Sequence, residues 1–148
     1  MSDLKQHPII QQYIVWNRFG DLLGMDFEVE QKGRVLYRMT VDNNHLATPF
    51  AAHGGSVAAL IDAALGVACL TEVCEELKVV STVNLSISYL IPALRGDVLT
   101  ADAQVIKSGK RILFVEGKVS NQKGELVATA SATMNAYPVS KISEKFFE

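Results

Sequence analysis

His53-Gly54-Gly55-Ser56-Val57-Ala58-Ala59-Leu60-Ile61-Asp62-Ala63-Ala64-Leu65-Gly66 decides how this chain folds. From His53 to Leu70 the only ionisable side chains are those of His53 and Asp62, apart from the weakly acidic thiol of Cys69. No proline interrupts the run. It is longer than a buried strand, so it predicts a helix. The pattern is apolar nearly all the way round, as in a helix buried on most faces. A carboxylate in the middle of such a helix needs a partner or a purpose, because burying a lone charge is costly. Ala58, Ala59, Ala63 and Gly66 keep the girth small and permit close packing.

Working outward toward the N-terminus, residues 42–52 (DNNHLATPFAA) read as a loop rich in turn formers. Val35, Tyr37, Met39 and Val41 alternate as in a half-buried strand, with a Lys32-Gly33 turn and a short run at 27–30 before them. Residues 8–23 carry Ile10, Tyr13, Ile14 and Asn17 at helical spacing. Pro8 fits a first helical position and Gly24 a helix end. In the other direction the helix runs to about Leu77, where Glu72, Glu75, Glu76 and Lys78 bring charge to its end. Four strand-like runs follow, at 82–91, 98–107, 111–120 and 126–137. In the first, Val83, Leu85, Ile87, Tyr89 and Ile91 alternate against Thr82, Asn84, Ser86 and Ser88. Short links between the runs predict an antiparallel meander. The tail, 138–148, reads as loosely held, and His45 as a surface or loop histidine.

The expected architecture is one α+β domain over residues 1–148. A short N-terminal helix (8–23) precedes a core (25–137) in which about five antiparallel strands wrap the long helix. One sheet of that size leaves an open edge and part of the helix uncovered, which predicts a homodimer.

Composition bounds the function. The 148 residues are 49% hydrophobic and 20% charged, with net charge −2. Nothing in that balance points to nucleic acid or an anionic membrane. Asp62 at the centre of the apolar run and strand-like flanks argue against a membrane span. Cys69 and Cys74 read as free thiols, and the N-terminus lacks a signal pattern, so a cytoplasmic protein is expected. No His, Cys and acid cluster has metal-ligand spacing, and no glycine-rich loop suits a nucleotide cofactor. No cofactor is expected.

The ordered set of motifs resembles the hotdog-fold acyl-CoA thioesterases of the phenylacetic-acid-degradation (PaaI-like) type. It comprises Leu23-Gly24-Met25, the HGG helix with an acid nine positions after His53, residues 82–93, Gly96-Asp97-Val98-Leu99, Ser108-Gly109-Lys110-Arg111 and Val127-Ala128-Thr129-Ala130. The resemblance covers about residues 20–137. It implies a hotdog fold, a dimer with a continuous sheet, often paired into a dimer of dimers, and hydrolysis of a CoA thioester. By position Asp62 matches the catalytic carboxylate, Gly54 the backbone amide donor, and Thr82 a hydroxyl that helps place water. The family often has Asn six residues before the His; here that residue is Ala47, with Asn43 and Asn44 further upstream.

The chemistry is coherent on elementary grounds. Thioester hydrolysis needs an activated water or a nucleophile, and donors for the oxyanion. Asp62 suits either role, general base or nucleophile. The helix start offers free N–H groups and partial positive charge, and Gly54 and Gly55 admit a close carbonyl. His53 is a second candidate for catalysis, or an orienting group in the loop. Lys107, Lys110 and Arg111, with Ser108, suit the phosphates of CoA. Gly54 and Asp62 lie eight residues apart, about 12 Å along one helix, so one carbonyl meets both only where two such helices run antiparallel across a dimer axis. Two alternatives stand beside hydrolysis: a hotdog dehydratase or hydratase using His53 with Asp62, and a non-catalytic acyl-CoA binding or sensing protein.

Overall fold

The N-terminal stretch forms two helices where one is expected. In the computed structural model, which describes residues 3–142, α1 spans Pro8–Trp16 and α2 spans Arg18–Leu23. Asn17 leaves helical geometry (ψ 69°) and turns its side chain into the cap of α2. Pro8 takes the first turn of α1, and Gly24, at φ 69°, closes α2 in the left-handed conformation that glycine adopts without strain. His7, unremarkable in the sequence, caps α1 by accepting from the Ile9 amide.

The small-residue run is α3, Gly54–Val73, followed by a tight turn at Cys74–Glu76. Around it curls one sheet of β1 (Asp26–Gln31), β2 (Arg34–Thr40), β3 (Lys78–Tyr89), β4 (Val98–Ser108), β5 (Ile112–Ser120) and β6 (Leu126–Pro138). The strand order is β1-β2-β4-β5-β6-β3, and the pairs are antiparallel. Six strands replace the expected five or so, because 27–30 is a full strand. The meander is also shorter than expected. β4, β5 and β6 follow one another, but β3 pairs with β6 and not with β4. The reason is link length: residues 109–111 and 121–125 suit hairpins, whereas 90–97, with Pro92 and Gly96, is too long for one.

α3 buries Val57, Leu60, Ile61, Ala64, Leu65 and Ala68 against the sheet. Gly117 on β5 permits that close approach, since a Cβ there would stand 2.8 Å from the Ile61 side chain. The helix is not buried all round. Ala58, Ala59, Asp62, Ala63 and Gly66, one stripe at spacing 1-4-5-8, remain half-exposed. The sheet covers one side of the helix, and the small residues face away from it.

A bulge in β3 changes the expected alternation. The pairing with β6 slips between Thr82 and Asn84. Before it Val80 and Thr82 stand opposite the inward Ala136 and Met134; after it Leu85 and Ile87 stand opposite Ala132 and Ala130. The extra residue flips the phase. Val83, expected inside, is therefore 61% exposed, and Thr82 turns toward α3. The beginning of the tail is held: Val139 is buried and its amide donates to the Leu77 carbonyl at 2.9 Å. The rest of the tail, 143–148, lies outside the described residues.

Candidate active site

At the start of α3 the Gly54 amide is left unclaimed among the described residues. His53 Nδ1 accepts from the Gly55 amide at 2.8 Å, and the His53 carbonyl accepts from the Ser56 amide at 2.9 Å. The Gly54 N–H makes no hydrogen bond among the described residues. The Tyr89 hydroxyl donates to the Gly54 carbonyl at 2.9 Å and fixes that peptide. The Tyr89 ring packs against this peptide, at ordinary contact distance (3.4 Å) from where a Cβ on Gly54 would stand. His53 itself is exposed and spends Nδ1 on the cap. Gly55 has its amide occupied by that same cap.

His45 is not at the surface; it is 2% exposed. Its Nδ1 accepts from the Asp42 amide at 3.0 Å, and its Nε2 lies 2.8 Å from the Leu23 carbonyl. Its own carbonyl accepts from the His53 amide at 2.6 Å. The ring thus ties the end of α2 to the loop that leads into α3. A loop of backbone polar groups packed this closely needs such partners, which pulls the imidazole inside. Asn44 sits on the exposed turn Asn43–His45, its amide bonded to Asp42. It lines neither the cavity beside Asp62 nor the one beside Gly54.

Asp62 lies two turns further along α3. The Thr82 hydroxyl donates to its Oδ1 at 2.9 Å, so the bulge in β3 and the middle of α3 meet in one side-chain pair. Both residues line a cavity of about 450 Å³, mostly apolar, whose walls include Ile9, Tyr13, Gly66 and Leu70. Gly54 is absent from it; its cavity lies beside Tyr89 and Val127. The contacts to Gly54 and Asp62 come from separate points of β3, Tyr89 at its end and Thr82 in its interior. A single chain therefore separates the acid from the free amide.

The basic hairpin sits on the Asp62 side. Thr82 pairs with Met134, and Met134 with Leu113, so the start of β5 is two strand spacings, about 10 Å, from Thr82. Ser108, Lys110 and Arg111 are exposed at its tip. Lys78 Nζ donates to the Lys110 carbonyl at 3.4 Å. Both cysteines are buried, and burial, with Glu72 nearby, pushes the Cys69 thiol up to about 12. Thiols held protonated in this way are poor nucleophiles. No group of three or more His, Cys, Asp or Glu side chains among the described residues could hold a metal ion.

Sequence reading overlooked Tyr13, Asn17 and Tyr89. In the sequence the first two show only as helix spacing and the third only as strand alternation. Their roles depend on hydroxyl and amide groups whose partners are 20 or more residues away, as in Tyr13 to Tyr37 and Tyr89 to Gly54. No local pattern signals that.

Residues 51–128 match the family described as Thioesterase superfamily. The acyl-coenzyme A thioesterase PaaI of Escherichia coli K12 is 31% identical over 106 residues, covering 72% of this chain and 73% of the relative. A Caenorhabditis elegans protein, F42H10.6, is 31% identical over 108 residues, 72% of this chain but only 63% of its own length. Among solved structures, the E. coli PaaI protein from the phenylacetic acid degradation operon superposes with a TM-score of 0.79 at 26% identity, covering 88% of this chain and 94% of that one. A hypothetical thioesterase of Streptococcus pneumoniae, solved with coenzyme A, gives 0.70 at 26% identity, covering 77% and 86%.

Proposed function

From a chain that belongs to the thioesterase superfamily and is a thioester hydrolase of the PaaI-like hotdog type, we propose that this protein hydrolyses a fatty or aryl acyl-CoA to the free acid and CoA at a site shared by two subunits. The observation that carries the reading is the division of labour along α3. An acid held by a hydroxyl stands beside an apolar cavity, and an unclaimed amide stands about 12 Å away on the same helix.

In this reading Asp62 of one subunit acts on the thioester carbonyl as general base toward water, or attacks it directly. Thr82 holds the carboxylate and the water. The Gly54 amide of the other subunit donates to the developing oxyanion, and the helix start adds its partial charge. Lys110 and Arg111, with Ser108, contact the CoA phosphates, and Gly55 borders the substrate. Two features support the dimer. β3 ends the sheet with an unpaired edge, open to a second β3. The half-exposed small-residue stripe of α3 leaves room for a twin helix. The hydratase alternative is weakened because His53 spends Nδ1 on capping α3.

Subunit complementation tests this. Gly54 is the first residue of α3, where proline suits the backbone and removes the N–H, and its added Cβ would stand at ordinary contact distance, 3.4 Å, from the Tyr89 ring. Gly54→Pro and Asp62→Asn homodimers should each lose about 10²-fold or more in kcat on acyl-CoA. Mixed and reassembled, they should recover about a quarter of wild-type activity, since half the dimers carry one intact site of two. No recovery in mixtures shown to exchange subunits rules out the shared site. Tight acyl-CoA binding with no thiol release by the wild type would favour the sensor.

A further inference from the structure

Three side chains brace the first peptides of α3, and one of them comes from another element. The His53 carbonyl and the Gly54 N–H belong to one planar peptide unit, the Gly54 carbonyl and the Gly55 N–H to the next. The His53 carbonyl accepts from the Ser56 amide at 2.9 Å and from the Ser56 hydroxyl at 2.7 Å. The Gly55 N–H donates to His53 Nδ1 at 2.8 Å, and the Gly54 carbonyl accepts from the Tyr89 hydroxyl at 2.9 Å. Side chains thus hold each polar group of the two peptides except the Gly54 N–H, which has no partner among the described residues.

These bonds decide where the free N–H points. Two adjacent glycines have no Cβ to restrict φ and ψ, so the angle of each peptide is set by what its groups bond to. The Ser56 and His53 bonds close within three residues and shape the first turn of α3. They do not tie that turn to the sheet. Tyr89 does. It is the last residue of β3, 35 positions away from Gly54, and its ring packs against the same peptide. The interior of that strand carries Thr82, the partner of Asp62. One strand therefore sets both the acid and the amide of a chain.

The bond contributes little to the stability of the fold. Tyr89 is 52% exposed, so its hydroxyl exchanges the Gly54 carbonyl for water at small net cost. What water does not replace is the direction of the bond. An oxyanion donor works by being aimed beforehand, so that it meets the charge as it develops without reorganising. A hydroxyl that adds little to folding and fixes the peptide next to an unclaimed amide serves that aim.

We propose that Tyr89 is a positioning residue for hydrolysis, whose hydroxyl holds the Gly54–Gly55 peptide so that the Gly54 N–H points at the developing oxyanion. This rests on the thioesterase reading above, in which the Gly54 amide is the oxyanion donor. Tyr89 acts through that amide and not on the substrate. Its loss misdirects a contact that strengthens only as the oxyanion forms, so it lowers kcat and leaves KM alone.

The test is a double-mutant cycle on thiol release from one acyl-CoA. Tyr89→Phe keeps the ring and removes the hydroxyl. It should lower kcat by about three- to tenfold, the worth of one neutral hydrogen bond, with KM and the urea midpoint unchanged. Gly54→Pro lacks the N–H but keeps the carbonyl that Tyr89 holds. In that background, read at high enzyme concentration, Tyr89→Phe should change kcat by less than about twofold. An equal loss in both backgrounds shows a structural role and overturns the inference, as does wild-type kcat in Tyr89→Phe alone. A raised KM at unchanged kcat overturns it too, since Tyr89 is then a substrate contact; in each of these cases the thioesterase reading stands. If Gly54→Pro keeps full activity, or the wild type releases no thiol, the underlying reading falls and this one with it.

Discussion

Asp62 acquires its meaning from Thr82. A lone acid in an apolar helix reads equally as structural or chemical; an acid fixed at one oxygen by a hydroxyl, beside a cavity, is placed to act on something in that cavity. The sequence marks the two residues for different reasons, Asp62 by its surroundings and Thr82 by family position. That they touch was not legible, because the contact depends on a bulge. If the contact orients the carboxylate, Thr82→Val should lower kcat/KM by about tenfold, the worth of one charge-assisted hydrogen bond, and Thr82→Ser should restore most of it. Steady-state kinetics on one acyl-CoA would check both, and equal activity in all three proteins would assign Thr82 to strand structure alone. His45 shows the opposite case. Nothing in DNNHLATP distinguishes a solvent histidine from a buried tie between α2 and the loop.

At the scale of elements, helices and strands followed from periodicity, whereas the interruptions did not. The break at Asn17 divides one amphipathic run because a side chain that caps α2 outweighs helix continuity. The β3 bulge inverts half of a regular alternation. Glycines in α3 and β5 predict opposite responses. Gly66→Ala should raise the stability of a separated subunit by about 0.5–1 kcal/mol, since within the chain the new methyl meets open space and helix propensity improves. Gly117→Ala should lower it by about 1–3 kcal/mol, because the methyl is driven into Ile61, Leu65 and the Asp102 carbonyl. Urea unfolding of the two variants checks the signs; a gain for Gly117→Ala would contradict the close helix-sheet packing.

The whole molecule should lose stability in alkali. Burial raises the Cys69 thiol from its ordinary 9.0 to about 12 and raises Tyr13 and Tyr37 above their ordinary 10.0. A group whose folded pKa lies above its unfolded value keeps its proton longer in the native state. For Cys69 the stabilisation is complete below about pH 9 and is lost as pH rises toward 12, with the tyrosines adding to the loss at the upper end. The urea midpoint should therefore fall steadily from about pH 9 upward; a level midpoint to about pH 11 would show that these groups are not buried as described.

From residue patterns alone came the buried small-residue helix, its lone acid, the strands around it and the distance that keeps Gly54 and Asp62 apart on one chain. These are consequences of local periodicity and of helix rise, which neighbours in sequence determine. Only the tertiary structure decided that β3 returns to β6, that Thr82 faces Asp62, that the Gly54 amide is left free while Gly55 is capped, and that Tyr13, Asn17 and Tyr37 close on one another. Each of these depends on which donor finds which acceptor across long stretches of chain, and side-chain pairing at that range leaves no period in the sequence.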